Sequence, residues 1–233
     1  MTRFVGRSAA WGVATLAPVN ETGHRLQPDW KSGSYAERFA RVRPYMEHRR
    51  VLDIGAGTGI SRPDWMHAMV ASVASEVVGV ELNEALVRKA TAKGYNVVAG
   101  DAQTMDLGRT FDVVWAGELI EHLSCAGAFL DAARRHLEPD GLLVLTTPNA
   151  FAVSNSVYRI GGRARVNAEH ACWYDETTLS QLLRRHGYEV VEVAYIGHHT
   201  PGRMRALLAK LVRSLLPRHL AENTLLVVAT PAS

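Results

Sequence analysis

Short, largely apolar runs alternate with helical patterns from residue 51 to residue 230, and this alternation limits the fold more than any single motif does. The runs are VLDIG (51–55), VVGVE (77–81), NVVAG (96–100), FDVVWAG (111–117), LLVLTTP (142–148), VVEVAYI (190–196) and TLLVVAT (224–230). Between them, residues 62–74, 83–93, 124–137, 176–186 and 202–215 read as helices. SYAERFARVRPYMEHR (34–49) reads as an amphipathic helix ahead of them, with Ser34 as its N-cap. A strand apolar on both faces must be covered on both. The pattern therefore predicts an α/β fold, a seven-stranded, mostly parallel sheet with helices on both faces. EPDG (138–141) reads as a turn before the fifth strand, and the long basic insert before the last strand fits a final antiparallel pair.

Residues 1–33 lack clear periodicity and read as an N-terminal extension, leaving 34–233 as one domain, with no internal repeat. The apolar part of the opening MTRFVGRSAAWGVATLAP is weak and broken by Gly12. It does not read as a signal peptide, and a cytoplasmic location is expected. Cys125 and Cys172 form neither a disulfide framework nor a CxxC pair. Net charge is only +3, which permits acidic partners without demanding them, and the strong arginine bias reads as codon composition.

The first strand runs into Asp53 and then Gly55-x-Gly57-x-Gly59, where glycines let the backbone turn sharply and approach a ligand. A GxGxG alone also fits a nicotinamide dehydrogenase. The acidic residues are more selective, because successive strand ends carry Asp53, Glu81, Asp101 and Glu118. In an open α/β sheet, ligands bind at those carboxyl ends.

With these residues in order, the chain resembles the class I S-adenosylmethionine-dependent methyltransferases, whose fold is Rossmann-like. The resemblance covers roughly residues 34–195 and rests on VLDIGAGTG, VVGVELN, GDAQTMDL, FDVVWAGELIEHL and LEPDGLLVLTTPN. It implies that S-adenosylmethionine is the methyl donor. Asp53, Gly55, Ala56 and Gly57 would line its methionine and ribose part. Glu81 would take the ribose hydroxyls, Leu82 would pack on the adenine, and Asp101 with Ala102 would hold the adenine edge. The match of GDAQTMDL and LEPDGLLVLTTPN disfavours the dehydrogenase.

GELIEHL (117–123) places two carboxylates and an imidazole at the fourth strand end. In a helical turn over 118–122, Glu118 would face Glu121 and His122, and two facing carboxylates repel unless a cation or proton intervenes. Glu118, Glu121 and His122, with His170 as a fourth ligand, form a candidate site for Mg²⁺ or Mn²⁺. This E-x-x-E-H with a later His resembles metal-dependent RNA 3′-terminal 2′-O-methyltransferases, and the E-x-x-E-H alone resembles ubiquinone-pathway O-methyltransferases. HACWYD departs from the RNA enzymes' signature around His170. In both groups a metal would grip adjacent oxygens and acidify the hydroxyl to be methylated. Without a metal, His122 or His170 would act as general base, and Glu118, His122 and His170 are the catalytic candidates.

The expected acceptor is a saccharide or polyoxygenated small molecule. RNA and quinone-type catechols are the alternative substrates, and a donor-binding regulatory module without turnover is the alternative class. Nucleic acid is not expected, since no aromatic-rich basic stripe is present. Residues 201–220 form a basic amphipathic helix ending at Pro217, read first as a lid or dimer helix and second as a membrane-surface contact. His198 and His199 read as loop. Trp173 and Tyr174 are either acceptor-stacking or core. Asn149 and Asn155 are either acceptor donors or turn residues, and Tyr35 is placed to close over the donor.

Overall fold

The computed structural model describes residues 34–155, 167, 169–197 and 203–232. The extension at 1–33 and His198 and His199 lie outside them, as do the side chains of Ser34, Arg203 and Arg205.

The strands are β1 (Arg50–Ile54), β2 (Glu76–Glu81), β3 (Val97–Ala99), β4 (Phe111–Gly117), β5 (Leu137–Pro148), β6 (Tyr188–Ile196) and β7 (Thr224–Pro231). They form one sheet in the order β3-β2-β1-β4-β5-β7-β6. β1 to β5 pair in parallel, whereas β7 lies between β5 and β6 and runs antiparallel to both.

Side chains alternate across each strand and build two cores. Leu52, Val78, Val114, Leu143 and Val227 point to one face, where they meet Phe129 and Leu130 of α4 (Ala126–Arg135) and Leu179 and Leu183 of α5 (Glu176–Arg185). Val51, Val77, Val113, Val144 and Leu226 point to the other. There they meet Phe39 and Val42 of α1 (Ser34–Met46) and Met69 and Val70 of α2 (Met66–Ala71). The anticipated α/β sheet with helices on both faces is thus realised.

Two local expectations are corrected. EPDG does not separate helix from strand, because β5 already begins at Leu137 and carries residues 138–141 as an irregularity opposite Phe111 and Val113. The helix expected over 62–74 is reduced to Met66–Ala71. Pro63 disfavours helical geometry at Arg62, and Arg62 instead holds Asp64 through its Nε at 2.8 Å. The ends of α3 (Glu84–Ala92) are better marked, since Asn83 caps it by accepting from the Ala85 N–H.

Candidate active site

The cleft opens along the carboxyl ends of β1, β2 and β4. Gly55 adopts φ +80°, and its N–H donates to the Val80 carbonyl at 2.9 Å, folding the chain back over β2. Gly57 comes so close to β2 that a Cβ there would sit 2.7 Å from Glu81 Oε2. Its N–H donates to that oxygen at 2.9 Å, while the Asn83 N–H donates to Glu81 Oε1 at 2.9 Å. Each oxygen keeps a lone pair for a ligand.

The larger chamber, about 550 Å³, is lined by Glu81, Leu82, Asp101, Ala102 and Gln103 among others. Leu82 is 72% exposed, leaving an apolar lip that a flat ring can cover. Asp101 Oδ1 accepts from the Gln103 N–H at 2.9 Å. Gln103 Oε1 in turn accepts from the Cys125 N–H at 2.8 Å, tying this wall to the entry of α4.

A smaller chamber of about 240 Å³ continues inward past Gly55 and Glu118, lined by Tyr35, Arg38, Asp53, His67, Glu121, His122 and His170 among others. At its base His67 Nδ1 lies 2.8 Å from Asp53 Oδ2, and both residues are buried. His67 Nε2 is buried without a hydrogen-bond partner. The loop above is held by Trp65, whose indole N–H donates to the Ala56 carbonyl at 2.7 Å. Nothing in the local sequence pairs His67 with Asp53. The only signal is a histidine in the helix after the glycine loop, and periodicity does not give that helix's register.

β4 ends in a conformational break. Glu118 adopts φ +53°, and its N–H is taken by the Thr146 carbonyl at 2.8 Å. The helical turn covers only Ile120–His122, not 118–122, and Glu118 stands at its mouth. There its Oε1 lies 3.4 Å from the Arg38 guanidinium, which α1 delivers almost fully buried. Arg38 is a second site residue that its local sequence does not mark.

Glu121 sits under the cleft floor, 1% exposed. Its Oε2 accepts from the Thr147 hydroxyl at 2.9 Å, but Oε1 is buried without a partner. Burial first, and the neighbouring Glu118 charge second, push its carboxyl up to about 7. The Glu121 carbonyl receives the N–H groups of Ala171, at 2.7 Å, and Cys172, at 3.1 Å. These bonds bring the segment carrying His170 back over the turn. The His122 and His170 rings meet edge to face with centroids 4.6 Å apart. Burial, then His122, lowers the His170 pKa, which favours its neutral form.

Ligand atoms of Glu121, His122 and His170 all lie within 4.8 Å of one another. Among the described residues this is the cluster suited to a cation, and Glu118 stands beside it, paired with Arg38. A buried carboxylate oxygen lacking a partner, next to two imidazoles, fits a divalent cation's donor set.

The remaining candidates separate cleanly. Tyr35 lines the smaller chamber, and the Arg62 guanidinium lies 4.8 Å from its ring centroid. Tyr174 is 7% exposed and belongs to the core, and Trp173 lines neither chamber. Asn149 is a structural tie: its Nδ2 donates to the carbonyls of His219, at 2.7 Å, and Glu222, at 2.8 Å. Asn155 donates through Nδ2 to the Asn149 carbonyl at 2.9 Å.

Comparison with known proteins agrees with this architecture. Residues 6–193 match the family described as a methyltransferase domain. A Mycobacterium tuberculosis protein named "Probable S-adenosylmethionine-dependent methyltransferase" is 28% identical over 205 residues, covering 84% of this chain and 70% of that one. The ubiquinone biosynthesis O-methyltransferase of Burkholderia orbicola is 25% identical over 177 residues, covering 70% and 74%. The crystal structure of a SAM-dependent methyltransferase from Archaeoglobus fulgidus shares the fold at a TM-score of 0.58, with 21% identity over 83% of this chain and 91% of that one.

Proposed function

The chain belongs to the methyltransferase-domain family and is an S-adenosylmethionine-dependent methyltransferase; on that premise we propose that it methylates a hydroxyl flanked by a second oxygen, with help from a divalent cation. The acceptor class is a saccharide or other polyoxygenated small molecule. The observation that carries this reading is the Glu121–His122–His170 cluster, with its unpartnered buried carboxylate oxygen, at the inner end of the cleft.

In this reading the donor's nucleoside occupies the larger chamber. Glu81 accepts its ribose hydroxyls, Leu82 covers one face of the adenine, and Asp101 with Ala102 meets its edge. The rest of the donor extends past Gly55, Ala56 and Gly57 toward Asp53 in the smaller chamber. His67 holds the Asp53 carboxylate in one orientation. The sheet thereby positions the donor and the acceptor for an in-line transfer, which is most of what the protein must contribute to a displacement at a sulfonium.

Glu121, His122 and His170 would hold Mg²⁺ or Mn²⁺, with Glu118 adding its charge alongside. The ion would supply Lewis acidity, lowering the pKa of the acceptor hydroxyl. The lowered His170 pKa keeps that imidazole neutral near pH 7, the form needed for ligation or, without the ion, for taking a proton at the free ring nitrogen.

The similarity to a ubiquinone biosynthesis O-methyltransferase favours one second reading, in which the paired oxygens belong to a quinol or catechol. Both readings need vicinal oxygens, and an acceptor screen separates them.

The test is calorimetric titration of Mg²⁺ and Mn²⁺ into protein saturated with S-adenosylhomocysteine. We expect one ion per chain, lost in Glu121→Gln and His170→Ala. Wild-type protein that binds neither ion, with or without a diol or catechol present, would overturn the metal.

A further inference from the structure

We propose that the basic amphipathic helix before β7 docks on an anionic bilayer surface and holds the mouth of the cleft toward it. The helix is α6 (Arg203–Leu215), followed by the short α7 (Arg218–Ala221). Leu207, Leu211 and Leu215 are 66%, 52% and 72% exposed. They recur at every fourth position and so form one stripe along the helix. Val212 and Leu216, further around the axis, are half-buried. The leucines therefore lie outside the face that packs on the protein, and Lys210 borders them as an exposed cation.

Charge decides what can cover this stripe. Residues 201–221 contain five basic side chains, Arg203, Arg205, Lys210, Arg213 and Arg218, and no acidic one. Arg213 is partly offset by Glu222, whose Oε2 lies 3.1 Å from its Nε. Two copies joined through this stripe would bring both basic sets together, and like charges oppose that seam. An anionic bilayer surface accepts leucines into its acyl boundary and cations at its headgroups together. No helix among the described residues is long and apolar enough to cross a membrane, so α6 lies on the surface rather than through it.

The helix also sits at the functional end of the sheet. Thr224, the first residue of β7, pairs with Pro148 at the carboxyl end of β5. Asn149 fastens α7 to that rim through the carbonyls of His219 and Glu222. Phe151, 62% exposed, lies two residues further along the same rim. A bilayer touching α6 therefore faces the end of the sheet where the cleft opens. This placement is independent of the metal.

The experiment is flotation of the full chain with vesicles of phosphatidylcholine, alone or mixed with phosphatidylglycerol. Wild-type protein is expected to float with the anionic vesicles, and about tenfold less with phosphatidylcholine alone or in high salt. Leu211→Gln should weaken flotation, and Leu207→Gln, Leu211→Gln and Leu215→Gln together should abolish it. Lys210→Glu should weaken it with the stripe intact. Each variant should still bind S-adenosylhomocysteine like the wild type, which establishes that it is folded. If the combined variant fails that control, Leu211→Gln and Lys210→Glu decide. Wild-type protein that ignores anionic vesicles would overturn the proposal, as would leucine variants that float unchanged. So would light scattering showing a dimer that the leucine variants dissociate while vesicle binding stays the same.

Discussion

His67 Nδ1 lies 2.8 Å from Asp53 Oδ2 beneath the glycine loop, and neither residue is more than 3% exposed. The pair couples α2 to the end of β1 and fixes a carboxylate in the wall of the smaller chamber. His67→Leu leaves that carboxylate buried without its partner. The expected cost is on the order of 2–4 kcal/mol of stability. A thermal melt should show the loss, and titration should show weaker S-adenosylhomocysteine binding. An unchanged melting temperature would mean that the pair adds nothing to stability.

Gly57→Ala tests the donor cleft by geometry alone. The added methyl would sit 2.7 Å from Glu81 Oε2 and 2.8 Å from Leu86 Cβ, so the Glu81 carboxylate must move. Affinity for S-adenosylhomocysteine should fall by about tenfold or more, the size of losing one well-placed charge-assisted hydrogen bond. Circular dichroism of the variant should remain that of the wild type.

Glu121 gives the protein a pH signature. Its carboxyl titrates at about 7 in the folded chain, against the ordinary 4.5. The folded state therefore binds more protons than the unfolded state between those values. This group's contribution to stability is fullest below about pH 4.5 and is lost as pH rises through the folded pKa near 7. The fall attributable to this group is on the order of 3 kcal/mol. Urea melts across this range should show a smaller slope in Glu121→Gln. Saturating Mn²⁺ should reverse the contribution, because a cation favours the ionised form.

The two glutamates should also differ in weight. Glu118 is held 3.4 Å from Arg38, outside the 4.8 Å ligand cluster, whereas Glu121 is part of it. Glu118→Gln is expected to weaken Mn²⁺ binding by about tenfold through lost charge, while Glu121→Gln should abolish it. Equal losses in the same titration would place Glu118 among the direct ligands.

Periodicity in this sequence was enough to place all seven strands, because the inner ones are buried by alternate residues on two faces and read as apolar runs, while the edge strand β6 is buried only in part. That Gly55, Gly57, Glu81 and Asp101 gather along one cleft was equally legible, since they occupy strand ends whose order in the chain is also an order in space. Contacts that depended on distant segments meeting were not legible. Arg38 reaches Glu118 across 80 positions and His67 reaches Asp53, pairings that no local pattern marks; His170 was expected beside His122, but the two N–H bonds to the Glu121 carbonyl that bring it there were not. The left-handed turn at Glu118 is similar: it takes Glu118 out of the helical turn expected over 118–122, so that Glu118 meets Arg38 while Glu121 joins His122 and His170. Local sequence determined the frame, because strand and helix burial follow from near-neighbour pattern. Tertiary structure decided which charges share a pocket, because Coulomb and desolvation energies depend on distances set by the packed sheet.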